Sequence, residues 1–166
     1  MGKSRTRTWL AMVAGVALLV LAQELANRPL VTGTPPELRG PMADGRTFEG
    51  LSTLGRPALI YFWASWCQVC RAMQGTLAEL ARHVPLITVA LQSGDATEVR
   101  RYLASQGLDL PAVVDPDGAI GRAYGVRGVP AVFVLGRDGA IHSATLGYST
   151  AWGLRLRLWW AGWSGN

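Results

Sequence analysis

Cysteine is almost absent from this chain: Cys67 and Cys70 are the only two in 166 residues. No long-range disulfide can staple the fold, so the pair acts locally and a domain of this length has to bury an apolar core. Histidine is equally scarce, and His83 and His142 have no ligand-like spacing. Without a second cysteine pair, a tetrahedral zinc motif is missing. Charge is sparse at 16%, and the formal +5 sits at the ends, on Lys3, Arg5 and Arg7 and on Arg155 and Arg157. Thr8 to Leu154 sums to zero. A neutral body argues against a phosphate-tracking surface and hence against nucleic acid as a partner. Internal repeats and a phosphate-cradling glycine loop are both lacking, and the glycines fall at turns, so no organic cofactor is implied.

Long apolar runs are also missing, and the nearest approach comes early. Residues 1–26 run basic, then uncharged and apolar from Trp9 to Ala22, then polar at Gln23 and Glu24. That order is an export signal. The run is shorter than the roughly 20 residues of a comfortable span. It lengthens if Glu24 reaches the outer interface and Arg7 snorkels, and no clean small-x-small cleavage site stands out. The expectation is a retained single-span anchor, with a cleaved signal peptide as the alternative. Either way the positive-inside rule puts the remainder outside the cytoplasm. Residues 27–41, with Pro29, Pro35, Pro36 and Pro41, read as an extended linker holding a domain at 42–166 off the bilayer.

Within that domain strands and helices alternate. Asp44-Gly45 marks a hairpin turn, and Ala58 to Ala64 is a buried-strand run. Gln68 to about Arg82 is helical, with Ala72, Met73, Thr76, Leu77, Leu80 and Ala81 as its apolar stripe. Leu86 to Leu91 is a second buried strand, Ala96 to Gln106 a helix closed by Gly107, and Ala112 to Val114 a short strand. Ala131 to Leu135 and Ala140 to Leu146 form a hairpin about Gly136-Arg137-Asp138-Gly139. The fold class is α/β: a mixed sheet covered on both faces.

Cys67 follows a buried strand and stands where the next helix begins. A thiolate there meets unsatisfied backbone N–H groups and the positive end of the helix dipole, which favours ionisation and makes Cys67 the nucleophile. Cys70, one turn later, is placed to attack a mixed disulfide at Cys67. Spacing of this kind closes a disulfide with little backbone movement, so the pair itself is the redox group. Two alternatives stand beside this: a copper(I)-binding module using both thiols, and a tethered scaffold without catalysis.

The motifs FWASWCQVC (Phe62 to Cys70) and YGVRGVPAVFVL (Tyr124 to Leu135) resemble those of the thioredoxin-like superfamily, in its membrane-tethered TlpA- and ResA-like branch. More narrowly, the arrangement and its Gly-Leu-Arg-Leu-Arg-Leu-Trp ending resemble disulfide oxidoreductases of the suppressor-of-copper-sensitivity D type. The resemblance covers about Pro41 to the C-terminus. It implies a thioredoxin fold with an N-terminal hairpin and an extra strand and helix within Gln92 to Asp117. Pro130 takes the place of the family's cis-proline. A cis bond there turns the Val129 backbone outward, so that Val129 and Pro130 dock an incoming cysteine-containing peptide while Trp66, with Trp63, shapes the apolar surround. Implied partners are extracytoplasmic cysteine-containing proteins and a membrane electron-transfer protein, and the implied place is the periplasmic side of a bacterial inner membrane. The chain departs from thioredoxin in having Tyr61 where that protein carries a buried aspartate. Proton transfer for Cys70 then falls to water or to the Tyr61 hydroxyl, and Glu79 is a surface charge.

Direction is open on the motif alone. A compartment that already oxidises thiols makes a tethered reductant more useful than an oxidant, so reduction is the expected direction and disulfide formation the alternative. The tail from Trp152 to Trp163 alternates like a strand over Leu154 to Leu158. Its tryptophans and arginines also suit a terminal helix packed on the sheet or an interfacial one.

Overall fold

The computed structural model describes residues 3–27 and 29–163, and the side chains of residues 3–8, 10, 11 and 26 lie outside the description. In chain order the elements are α1 (Lys3–Asn27), β1 (Gly40–Pro41), β2 (Thr47–Phe48), a 3-10 turn (Leu51–Thr53), β3 (Ala58–Trp63), α2 (Gln68–Ala81), β4 (Leu86–Leu91), α3 (Ala96–Ser105), β5 (Ala112–Asp115), α4 (Ala119–Ala123), β6 (Ala131–Leu135), β7 (Ile141–Leu146) and α5 (Ala151–Trp163). Five strands form one sheet in the order β5-β4-β3-β6-β7, and β1 and β2 form a separate hairpin. β3, β4 and β5 run parallel, and β6 and β7 are antiparallel to their neighbours, so the sheet is mixed.

Continuous apolar runs make the central strands. Every residue of β3 and β4 is buried, as a strand covered on both faces requires. Alternation then sorts the side chains. Leu59, Tyr61 and Trp63 join a core with Met73 and Leu77 of α2, Val99 and Leu103 of α3, and Leu154, Leu158 and Ala161 of α5. Ile60 and Phe62 face a second core with Leu30, Leu38, Phe48, Tyr124 and Phe133. In that second core Phe62, Tyr124 and Phe133 pack ring to ring at 5.2–5.5 Å. The segment from Gln92 to Asp117 holds α3 and the edge strand β5, and α3 begins on a reciprocal capping box between Asp95 and Glu98.

Three expectations change. Among the described residues no helix is long and apolar enough to cross a membrane. Trp9 to Ala22 covers about 21 Å as a helix against the ~30 Å of a hydrocarbon core, so the single-span inner-membrane anchor expected over residues 1–26 is not found there. Lys3, Arg5 and Arg7, including the Arg7 expected to snorkel, have side chains outside the description. The proline-bearing segment is extended but lies on the body instead of standing off it. Leu30 and Leu38 are buried, Gly33 bridges Ile141, and the Tyr124 hydroxyl donates to the Pro36 carbonyl at 2.8 Å. On α2 the buried side is turned from the expected stripe: Ala72 is exposed, while Cys70 and Gln74 are buried. The tail, by contrast, is the terminal helix packed on the sheet that its sequence allowed, with Leu154, Leu158 and Ala161 at helical spacing turned to the core.

Candidate active site

Central strand β3 ends at Trp63 and α2 carries the chain away from Gln68, so Cys67 sits on the turn between them and Cys70 in the first turn of the helix. Cys67 is the N-cap of α2. Its backbone is extended (φ −87°, ψ 109°), and its sulfur accepts the Cys70 N–H at 3.1 Å, the position a serine or aspartate takes at an ordinary helix start. Cys67 and Cys70 are joined as a disulfide with their Cα atoms 5.3 Å apart. Exposure separates the pair: Cys67 is 7% exposed and Cys70 fully buried, so an attacking or attacked partner can reach only Cys67. Among the described residues no side-chain cation is hydrogen-bonded to the Cys67 sulfur.

The loop before β6 approaches from the other side. The Val129–Pro130 peptide is cis, and the Val129 carbonyl oxygen lies 3.5 Å from the Cys67 sulfur. β6 pairs with its neighbours only from Ala131 onward, so Val129 lies beyond the ladder and against the disulfide. A groove of about 150 Å³ opens beside this contact, between Trp66, Gln92, Arg122, Val126, Arg127 and Val129. A larger cleft of about 650 Å³ lies near the far end of α2, bordered by Arg82, Arg100 and Asp109, away from the cysteines.

The two tryptophans divide their work. Trp63 is fully buried, donates its indole N–H to Thr88 Oγ1 at 3.0 Å and stacks on Tyr102 at 5.2 Å, so it is packing. Trp66 is 61% exposed and walls the groove, held by an indole bond to the Gln92 carbonyl at 3.2 Å. Gln92 is the one described non-glycine residue with positive φ, at 47°. That conformation is uncommon outside glycine, asparagine and aspartate, and nothing in the sequence marks this glutamine for it. Asp115 was equally invisible as a site support. Buried at the end of β5, it accepts the N–H groups of Ile120 and Gly121 at 3.1 and 2.8 Å, while its carbonyl accepts the Gln92 N–H at 2.8 Å. One carboxylate thus starts α4, and the same residue's backbone fixes the groove wall.

Tyr61, one of the two proton routes read from the sequence, lies beside the buried cysteine. Its hydroxyl donates to the Cys70 carbonyl at 3.2 Å, and burial raises the phenol well above its ordinary value, so it stays neutral and engaged. Glu79 is exposed, within reach of Arg82 and His83. Among the described residues no three histidine, cysteine, aspartate or glutamate side chains converge to hold a metal ion.

Comparison with known proteins agrees with this geometry. The AhpC/TSA family pattern matches residues 32–144. A thioredoxin-like protein of Haemophilus influenzae is 30% identical over 141 residues, covering 83% of each chain. The thiol:disulfide interchange protein DsbE of Yersinia pestis is 29% identical, over 84% of this chain and 71% of its own. The crystal structure of a thio-disulfide isomerase from Thermus thermophilus superposes with a TM-score of 0.64 at 25% identity, over 80% of this chain and 98% of the other. A cysteine pair at a strand-to-helix turn, in a sheet of this order and with these relatives, places the chain in the AhpC/TSA family as a thioredoxin-like thiol:disulfide oxidoreductase.

Proposed function

We propose that this protein exchanges its Cys67–Cys70 pair with cysteine-containing proteins outside the cytoplasm, and that it works as a reductant. The observation that carries the reading is the asymmetric cap: one sulfur reachable at a helix N-terminus, its partner sealed beneath it. In the reduced protein the Cys67 thiolate attacks a substrate disulfide, a Cys67-to-substrate bond forms, and the substrate's other sulfur leaves as a thiolate. Cys70, as its thiolate, then attacks the Cys67 sulfur, the mixed disulfide breaks, and the second substrate sulfur departs. Two electrons have moved from this chain to the substrate, and the substrate thiolates take up the protons released by the two cysteines. A dithiol donor restores the pair, and a membrane electron-transfer protein suits that task. The disulfide is itself the redox group, without an added cofactor.

Substrate docking is assigned to Val129, Pro130 and Trp66, because the Val129 carbonyl and the Trp66 wall flank the reachable sulfur on two sides. Reduction is favoured by the electrostatics. The Cys67 sulfur receives one backbone N–H and no hydrogen bond from a charged side chain among the described residues, a setting that stabilises a thiolate less than a cationic one. The export-type order of residues 1–26 supports work outside the cytoplasm.

Trapping tests the roles. A Cys70→Ser variant should accumulate a mixed disulfide through Cys67 when mixed with a disulfide-bonded protein, and Cys67→Ser should accumulate none. Equal trapping by both, or trapping through Cys70, would remove the assignment.

A further inference from the structure

The outer face of α5 has no task in the chemistry above. Trp152, Leu156, Trp159 and Trp163 follow one another at helical spacing and are 81%, 65%, 59% and 78% exposed. They lie opposite Leu154, Leu158 and Ala161, which hold the helix to the sheet. Trp159 and Trp163 stack on each other at 6.0 Å. Arg155 flanks this stripe, and Arg157 on the inner side bonds the Thr145 hydroxyl of β7. Residues 139–166 contain no aspartate or glutamate.

The geometry points to an anionic lipid surface as the occupant of this face. We infer that α5 lies in the headgroup layer of a bilayer, with its tryptophan stripe at the acyl boundary and Arg155 among lipid phosphates. Tryptophan has a large apolar body and one N–H donor, which suits the boundary between hydrocarbon and water. A helix apolar on that side, basic at its flank and free of acid is drawn to negative headgroups and repelled by none of its own charges. The position agrees with a second apolar surface. α1 exposes Met12, Val16, Leu19 and Leu21, and its C-terminal end is fastened to the same strand, where Gln23 bonds the Leu146 carbonyl and Asn27 accepts the Leu146 N–H, both at 2.9 Å. Thr145 and Leu146 are neighbours on β7, so both apolar surfaces start from one edge of the sheet.

A reporter on α5 separates this from membrane binding through α1. In the oxidised full chain Cys67 and Cys70 are joined, so a Leu156→Cys variant offers one free thiol for a polarity-sensitive dye. Vesicles containing phosphatidylglycerol should shift its emission to the blue, and lipids brominated near the headgroup should quench it. The same dye at Ser105→Cys on α3 should not respond. Adding Arg155→Glu should raise the phosphatidylglycerol needed for half the shift roughly 25-fold, at roughly 5-fold per unit of charge. The inference fails if the protein sediments with vesicles while the dye stays in water, which would mean contact through α1 alone. It also fails if phosphatidylcholine vesicles act equally well, or if the shift grows with protein concentration without vesicles, the sign of a second copy on this face.

Discussion

Reducing Cys67–Cys70 opens a ring of only four residues, and that small size lets the direction of electron flow be tested by stability. In the chain-entropy description a four-residue ring restricts the unfolded chain by about 6 cal/mol/K, so the oxidised form gains about 2 kcal/mol at 25 °C. The reduced form gains in turn from a Cys67 thiolate at the start of α2. A charge at a helix end is worth ~0.3–1 kcal/mol, and up to ~2 when partly buried. Cys67 is 7% exposed, accepts one N–H and, among the described residues, has no side-chain cation hydrogen-bonded to it, so the lower half of that range applies. The oxidised protein should therefore be the more stable by about 1–1.7 kcal/mol at pH 7. Around a closed cycle the same difference places the pair's potential in the folded chain about 20–35 mV below its value in the unfolded chain. Urea unfolding followed by circular dichroism, with and without a dithiol reductant, measures it. With a slope near ~2 kcal/mol/M the oxidised midpoint should lie about 0.5–0.9 M higher. A reduced form more stable by ~2 kcal/mol would mean that thiolate stabilisation outweighs the ring, the condition of an oxidant, and the reasoning would fail.

Three other outcomes follow from the same structure. Tyr61→Phe should cost about 1 kcal/mol, the net worth of one hydrogen bond to the Cys70 carbonyl, and should leave the rate of disulfide exchange and its pH profile in place. A changed profile would make Tyr61 the proton carrier for Cys70. On α5, Leu158→Ala should lower stability by about 2–4 kcal/mol through the cavity it leaves, whereas Trp163→Ala should stay within about 0.5 kcal/mol. Equal losses would show that the outer face is packed. Asp138 has its carboxyl held below the ordinary range, first by the His142 hydrogen bond and then by the Ala140 N–H. A depressed carboxyl contributes stability above its unfolded pKa near ~3.9 that is lost as pH falls through the folded value. Melting temperatures should accordingly drop less between pH 5 and pH 3 in Asp138→Asn than in the parent, and parallel curves would deny the linkage.

Much of the sheet was legible because its strands are short apolar runs bounded by turn residues. β4 begins and ends where Leu86 and Leu91 predicted, and the β6–β7 hairpin closes on Gly139, whose φ of +82° suits a glycine. The cysteine turn was legible for the same reason: a buried strand, two thiols three apart and a helical stripe leave few arrangements. What stayed hidden depends on partners distant in sequence. α4 is five residues long and has no periodic stripe, and its start is organised by Asp115, a side chain from the preceding strand. Gln74 reads as a surface residue until Tyr102, 28 positions away, donates to it. Leu30 and Leu38 carry no strand pattern, and the edge of β7, Tyr124 and the second core give that segment somewhere to lie. The tail's alternation of leucine and arginine suits a strand as well as a helix. Leu154, Leu158 and Ala161 decide the matter once the sheet is there to receive them.

The most direct test of the account is the equilibrium reduction potential of Cys67–Cys70 in the full chain, titrated against a glutathione or dithiothreitol couple with the thiol state read by mass spectrometry. A value near or below thioredoxin's ~−270 mV is predicted, and it would mean a reductant that draws on a strong donor. A value near the ~−120 mV of DsbA would contradict the account and make the protein an acceptor of electrons from its substrates.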